Sequence, residues 1–106
     1  MARQYSDVSR VVGARIREIR NDVGISQVDL AALATLHVAN LGKIERGLSN
    51  PSLATLARIA TALDTTTADF VKDVTPEHVP EPDRQVTAAE LLAARAEEGK
   101  RKRYRW

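Results

Sequence analysis

Asn40, Lys43 and Arg46 recur at three-residue intervals in the segment Val38-Ala39-Asn40-Leu41-Gly42-Lys43-Ile44-Glu45-Arg46-Gly47. Lys43 can donate to guanine O6 and N7, Asn40 can pair with adenine, and a guanidinium such as that of Arg46 suits a phosphate. Such chemistry requires all three side chains to be held on one side of a rigid element. Val38, Leu41 and Ile44 supply the other side: their helical spacing buries one face and turns Ala39, Asn40, Gly42, Lys43 and Arg46 outward. Gly47 is the expected C-terminal stop and His37 stands where a cap belongs. Just upstream, Ser26 with Asp29 three residues on reads as a capped helix start, and Val28, Leu30, Ala31, Leu33 and Ala34 form an apolar stripe that Thr35 interrupts. Two short helices, about 27–34 and 38–46, joined by a tight turn form a unit that can deliver its second helix into a DNA major groove.

These residues and their neighbours resemble the Cro/cI-type, xenobiotic-response-element-like (XRE) helix-turn-helix regulators of bacteria and phages. The resemblance runs from about Val12 to Val71. It is carried by Gly13-x-Arg15-Ile16-Arg17-Glu18-Ile19-Arg20, Gly24-Ile25-Ser26-Gln27, Leu30-Ala31, Ile44-Glu45-Arg46-Gly47, Asn50-Pro51-Ser52-Leu53 and Ile59-Ala60-x-Ala62-Leu63, in family order and spacing. It implies base-edge contacts at Val38, Ala39 and Lys43, the last equally read as a phosphate contact, with Asn40 and His37 as neighbours that could reach bases or phosphates, His37 as a cap or phosphate donor, and a phosphate-binding Gln27. Val38 and Ala39 would meet thymine methyls, and so chemically poor an outer face would lean on DNA shape as well. Arg20 and Glu45 match a salt bridge that ties the first helix to the recognition helix. Arg46, Ser49, Asn50 and Ser52 are phosphate candidates; the last three are small polar groups at a helix N-terminus, where simple capping is an equal and compatible reading. Thr35 departs from the family's usual turn glycine, and a β-branched residue at positive φ is costly, so a different turn conformation is expected.

Length and composition agree with one small domain. The chain has 106 residues and a net charge of +2, and five short helices can bury a minimal aliphatic core. Without cysteine there is no disulfide, thiolate zinc site or cysteine nucleophile, which suits a reducing cytoplasm. No apolar run is long enough for a membrane span and no leader-like segment opens the chain, so a cytoplasmic protein is expected. The two histidines, His37 and His78, fall in the motif and in a linker, with no carboxylate cluster or phosphate-cradling glycine loop, so neither catalysis, cofactor nor metal is expected.

Along the chain, helix 1 begins near Asp7, with Val8, Val12, Ile16, Ile19 and Val23 inward and Gly24 ending it. Ser52 caps a fourth helix whose face is Leu53, Leu56, Ala57, Ala60 and Leu63. Thr67 caps a fifth, with Phe70 and Val71 inward. Residues 73–86 form a proline- and acid-rich linker, and residues 87–106 a last short helix over 88–98, opened by Thr87 and Glu90 and closed by Gly99, with a basic tail. The expected fold is all-α, a five-helix lambda-repressor-like domain over 1–72 with the linker and an additional short helix. The expected function is sequence-specific regulation of transcription on double-stranded DNA: a repressor, dimeric on an inverted-repeat operator. The alternative is an antitoxin that autoregulates its operon and binds a toxin, a protein partner, through the tail. A restriction-modification controller is a third reading, against which the tail beyond Asp73 argues.

Overall fold

A computed structural model describes residues 7–79 and 86–103, the last three by their backbone alone. The described residues form α1 (Asp7–Val23), α2 (Gln27–Leu33), α3 (Val38–Glu45), α4 (Leu53–Ala62), α5 (Thr67–Val71), a 3-10 turn at Pro76–His78, and α6 (Ala88–Arg103). The regular elements among the described residues are all helical, as expected. Helix α1 packs against α3 and α5, α2 against α3 and α4, and α4 against α5.

The core is aliphatic around one aromatic ring. Val12, Ile16, Leu30, Ala31, Ala34, Leu41, Ile44, Leu56, Ile59, Ala60, Leu63 and Phe70 are buried together. Several positions read as inward from spacing lie outside it: Val23, Val28, Leu33, Leu53 and Val71 are exposed, and so is Ala57. Each sits at the edge of its helix's apolar arc or in a terminal turn, where no second layer covers it. The inner face of α4 is instead Leu56, Ile59, Ala60 and Leu63. Helix α1 buries Ser9, Val12, Gly13, Ile16 and Arg20, a stripe with a polar residue near each end.

Helix ends follow local chemistry. Ser26 and Asp29 form a reciprocal capping box, and Ser52 Oγ accepts from Thr55 N at 3.1 Å. Thr66, not Thr67, caps α5, its hydroxyl accepting from Asp69 N. Three helices close with the same paired bonds. After α2, Thr35 N donates to Ala32 O and Leu36 N to Ala31 O; after α3, Gly47 N donates to Ile44 O and Leu48 N to Lys43 O; after α4, Asp64 N donates to Thr61 O and Thr65 N to Ala60 O. This Schellman arrangement demands a left-handed residue at its centre. Gly47 supplies it at φ 74, and Thr35 and Asp64 adopt it at φ 58 and 55. The turn of the motif therefore keeps the left-handed geometry, contrary to the expectation raised by Thr35. Burial of Ala31 and Ala34 before it and Leu41 after it outweighs the local cost of a β-branched residue there.

Two further findings alter the expected outline. Val74 packs against the core and His78 Nδ1 accepts from Thr75 N at 2.9 Å, so ordered chain runs beyond Lys72 into the proline-rich segment. Helix α6 passes through Gly99 to Arg103; a single glycine costs about 1 kcal/mol in a helix, and the four basic residues that follow complement the helix dipole.

Candidate nucleic-acid interface

The candidate interface is built on α3, which is anchored from behind. Gly13 of α1 lies so close to α3 that an added Cβ would fall 2.1 Å from the carbonyl oxygen of Ile44 and 3.0 Å from that of Glu45. Beside this contact Arg20 grips Glu45 with two parallel bonds, Nε to Oε2 at 2.7 Å and Nη2 to Oε1 at 2.9 Å. A third donor, Nη1, holds the carbonyl of Ile25 at 2.9 Å. The Glu45 side chain is 1% exposed. The hydrogen bonds to Glu45 hold the Arg20 guanidinium above its ordinary pKa. The Arg20–Glu45 pair that the resemblance implies is a buried fork-to-carboxylate bridge.

Gln27 joins the same cluster: its Nε2 donates to Glu45 Oε1 at 2.9 Å. One amide N–H is committed to the carboxylate and the second remains for another acceptor. Gln27 is also the first residue of α2, so its backbone N–H belongs to the unpaired set at that helix N-terminus.

With Leu41, Ile44 and Glu45 buried, the opposite face of α3 is exposed. His37, Val38, Ala39, Asn40 and Lys43 all lie there, and Arg46 follows at the C-cap. Val38, inward by spacing, is 45% exposed and lies on the open face of the helix. Gly42, expected outward, is buried beneath neighbouring side chains; an added Cβ would stand 3.1 Å from Arg46 Nη1 and 3.8 Å from Gln27 Oε1. His37 caps α3 through its backbone carbonyl, which accepts from Asn40 N at 3.0 Å and Leu41 N at 3.1 Å, and not through its imidazole.

The loop after α3 is stapled to α1. Ser9 Oγ donates to Asn50 Oδ1 at 3.0 Å, which leaves the Asn50 amide nitrogen as its donor toward an anion. Gly47 lies against Arg10, whose Cγ would be 2.5 Å from an added Cβ. Ser49 is half-buried, while Asn50 and Ser52 are exposed at the start of α4. Sequence spacing alone missed this staple; its one signal is the serine in the apolar stripe of α1. A second missed network clamps α5 onto α1. Asp69 Oδ1 accepts from Arg15 Nη2 at 2.8 Å, Oδ2 accepts from Thr65 Oγ1 at 3.0 Å, and Lys72 Nζ lies 3.3 Å from Oδ1. Hydrogen bonds from Arg15, then Thr65, hold the Asp69 carboxyl at about 2.

Among the described residues no group of three or more His, Cys, Asp or Glu could hold a metal ion, and no helix is long and apolar enough to cross a membrane.

The chain is similar in sequence and fold to known proteins. Over 60 residues the chain is 38% identical to the HTH-type transcriptional regulator DdrOP3 of Deinococcus deserti, 57% of this chain and 46% of that one. It is 34% identical over 61 residues to the control protein C.SmaI of Serratia marcescens, 58% of this chain and 73% of the relative. Over 52 residues it is 48% identical to the immunity repressor of Bacillus phage phi105, 49% of this chain and 36% of that protein. The chain thus spans about half of the Deinococcus regulator and about a third of the phage repressor. The crystal structure of the restriction-modification controller C.AhdI from Aeromonas hydrophila superposes with a TM-score of 0.58 at 39% identity, over 58% of this chain and 94% of the controller. The helix-turn-helix family model HTH_3 matches residues 16–70. The chain belongs to this XRE-type helix-turn-helix family of DNA-binding transcription regulators, which are not enzymes.

Proposed function

We propose that the protein is a sequence-specific repressor that binds an inverted-repeat operator as a two-fold dimer. The observation that carries this is the locked back and open front of α3: the Arg20–Glu45–Gln27 cluster fixes its angle, and Val38, Ala39, Asn40 and Lys43 are presented together. On this reading Lys43 and Asn40 read base edges and Val38 and Ala39 meet thymine methyls. Gln27, His37, Arg46, Ser49, Asn50 and Ser52 set the register on phosphates. Two-fold pairing is supported by analogy with dimers of this fold: one recognition helix reads too few base pairs to be specific, whereas two placed about 34 Å apart read both half-sites on one side of the duplex. The phage immunity repressor among the relatives supports repression. Exposed Val71 at the end of α5 offers apolar surface for pairing.

The test starts from an operator selected from random duplexes. Footprinting should show two inverted half-sites about one helical turn apart; one unsymmetrical footprint with a bound monomer would overturn the dimeric reading. Lys43→Ala and Asn40→Ala should each cost about 1–3 kcal/mol on the operator and much less on unrelated DNA. Gln27→Ala should weaken both alike. Equal losses on both DNAs for Lys43→Ala and Asn40→Ala would remove these residues from sequence reading.

A further inference from the structure

We propose that the far end of α6 is a second DNA-binding element, a tethered basic tip that engages phosphates outside the half-site read by α3; this rests on the DNA-binding reading above. Charge along the tail is sharply divided. Residues 73–99 carry seven acidic side chains, Asp73, Glu77, Glu81, Asp83, Glu90, Glu97 and Glu98, against two basic ones, Arg84 and Arg95; residues 100–106 carry five basic side chains and no acidic one. Near a duplex the first stretch is repelled and the second attracted, so the body of the tail stands off while its tip makes contact.

The backbone suits this role. Residues 86–100 are exposed throughout, so α6 is not committed to the core. Four successive basic positions, Lys100 to Arg103, occupy the last turn of α6, and successive helical positions step about 100° around the axis. Four consecutive cationic positions at a helix end suit a diffuse polyanion. A protein partner would instead need an apolar ridge at spacings of three and four. The one apolar ridge of α6, Ala88, Ala89, Leu92, Ala93 and Ala96, holds a single large side chain, Leu92, which is little apolar surface for a protein contact beside four cations. The 16 residues of α6 span about 24 Å.

The test compares the full chain with the quadruple variant Lys100→Ala, Arg101→Ala, Lys102→Ala, Arg103→Ala on a 40-bp duplex of mixed sequence. Each phosphate contact contributes about 0.9 to the slope of log K against log salt, so the variant should lose about 2–4 from that slope and bind roughly ten- to a hundredfold more weakly at low salt. Glu97→Gln in the full chain should tighten binding a few-fold, an effect that a merely helix-stabilising role for the cations would not produce. Equal salt slopes for the parent and the quadruple variant would overturn the proposal while leaving the α3 reading intact. Loss of self-association or of a protein partner at an unchanged slope would overturn it in favour of a protein contact. If neither protein binds duplex DNA, both readings fall.

Discussion

Arg20→Ala tests the buried bridge that aims the recognition helix. In the parent, Glu45 accepts two bonds from Arg20 and one from Gln27, and its side chain is 1% exposed. Truncating Arg20 leaves a carboxylate in that buried position with one neutral amide donor, and it releases the carbonyl of Ile25 as well. Breaking a buried pair by removing one partner typically costs about 3–5 kcal/mol, against a total stability of about 5 kcal/mol or little more for a domain this small. At about 4–8 °C per kcal/mol for a domain of this size, thermal unfolding followed by circular dichroism should fall by roughly 15–30 °C. Arg20→Lys keeps the charge but loses the fork, and should lie between the two. Arg20→Met combined with Glu45→Leu removes both charges and should recover most of the loss. The loss of stability should precede any loss of preference for operator over unrelated DNA. A variant that melts with the parent yet no longer binds DNA would refute the reasoning and make Arg20 a contact residue.

Other perturbations probe separate parts of the fold. Thr35→Gly removes a β-branched residue held at φ 58; relief of about 1–2 kcal/mol, less the chain entropy of glycine, should leave a gain near 1 kcal/mol in denaturant unfolding, and a loss would mean the threonine side chain contributes more than its backbone costs. Gly13→Ala drives a methyl against the Ile44 carbonyl at 2.1 Å and should destabilise by about 1–3 kcal/mol or more, read as a lower urea midpoint; an unchanged midpoint would show that α1 and α3 separate freely. The Asp69 carboxyl is held at about 2, below its ordinary 3.8. Its depressed folded value means that its contribution to stability is present above about 4 and is lost as pH falls through about 2. Asp69→Asn should therefore be less stable at neutral pH and show a flatter acid limb, whereas parallel acid limbs would show that the Arg15 network does not stabilise the fold.

Much of this protein is legible in its sequence because it depends on neighbours within one or two helical turns. The capping box at Ser26 and Asp29, the Ser52 cap, the stop at Gly47 and the division of α3 around Leu41 and Ile44 are local events, set by hydrogen-bonding groups and by the 3.6-residue period. The pairing of Arg20 with Glu45, 25 residues apart, came from resemblance and not from local chemistry. Tertiary structure decided the remainder. Which edge positions of an apolar arc are covered depends on the presence of a second helix there, so Ile59 is buried while Leu53 and Val71 are exposed. Thr35 adopts a backbone that its side chain disfavours because the buried residues on either side leave no other path. Ser9 with Asn50, Arg15 with Asp69 and Gln27 with Glu45 join groups far apart in the chain. Their partners depend on helix positions in space, and a sequence period, which describes one helix at a time, carries no record of that.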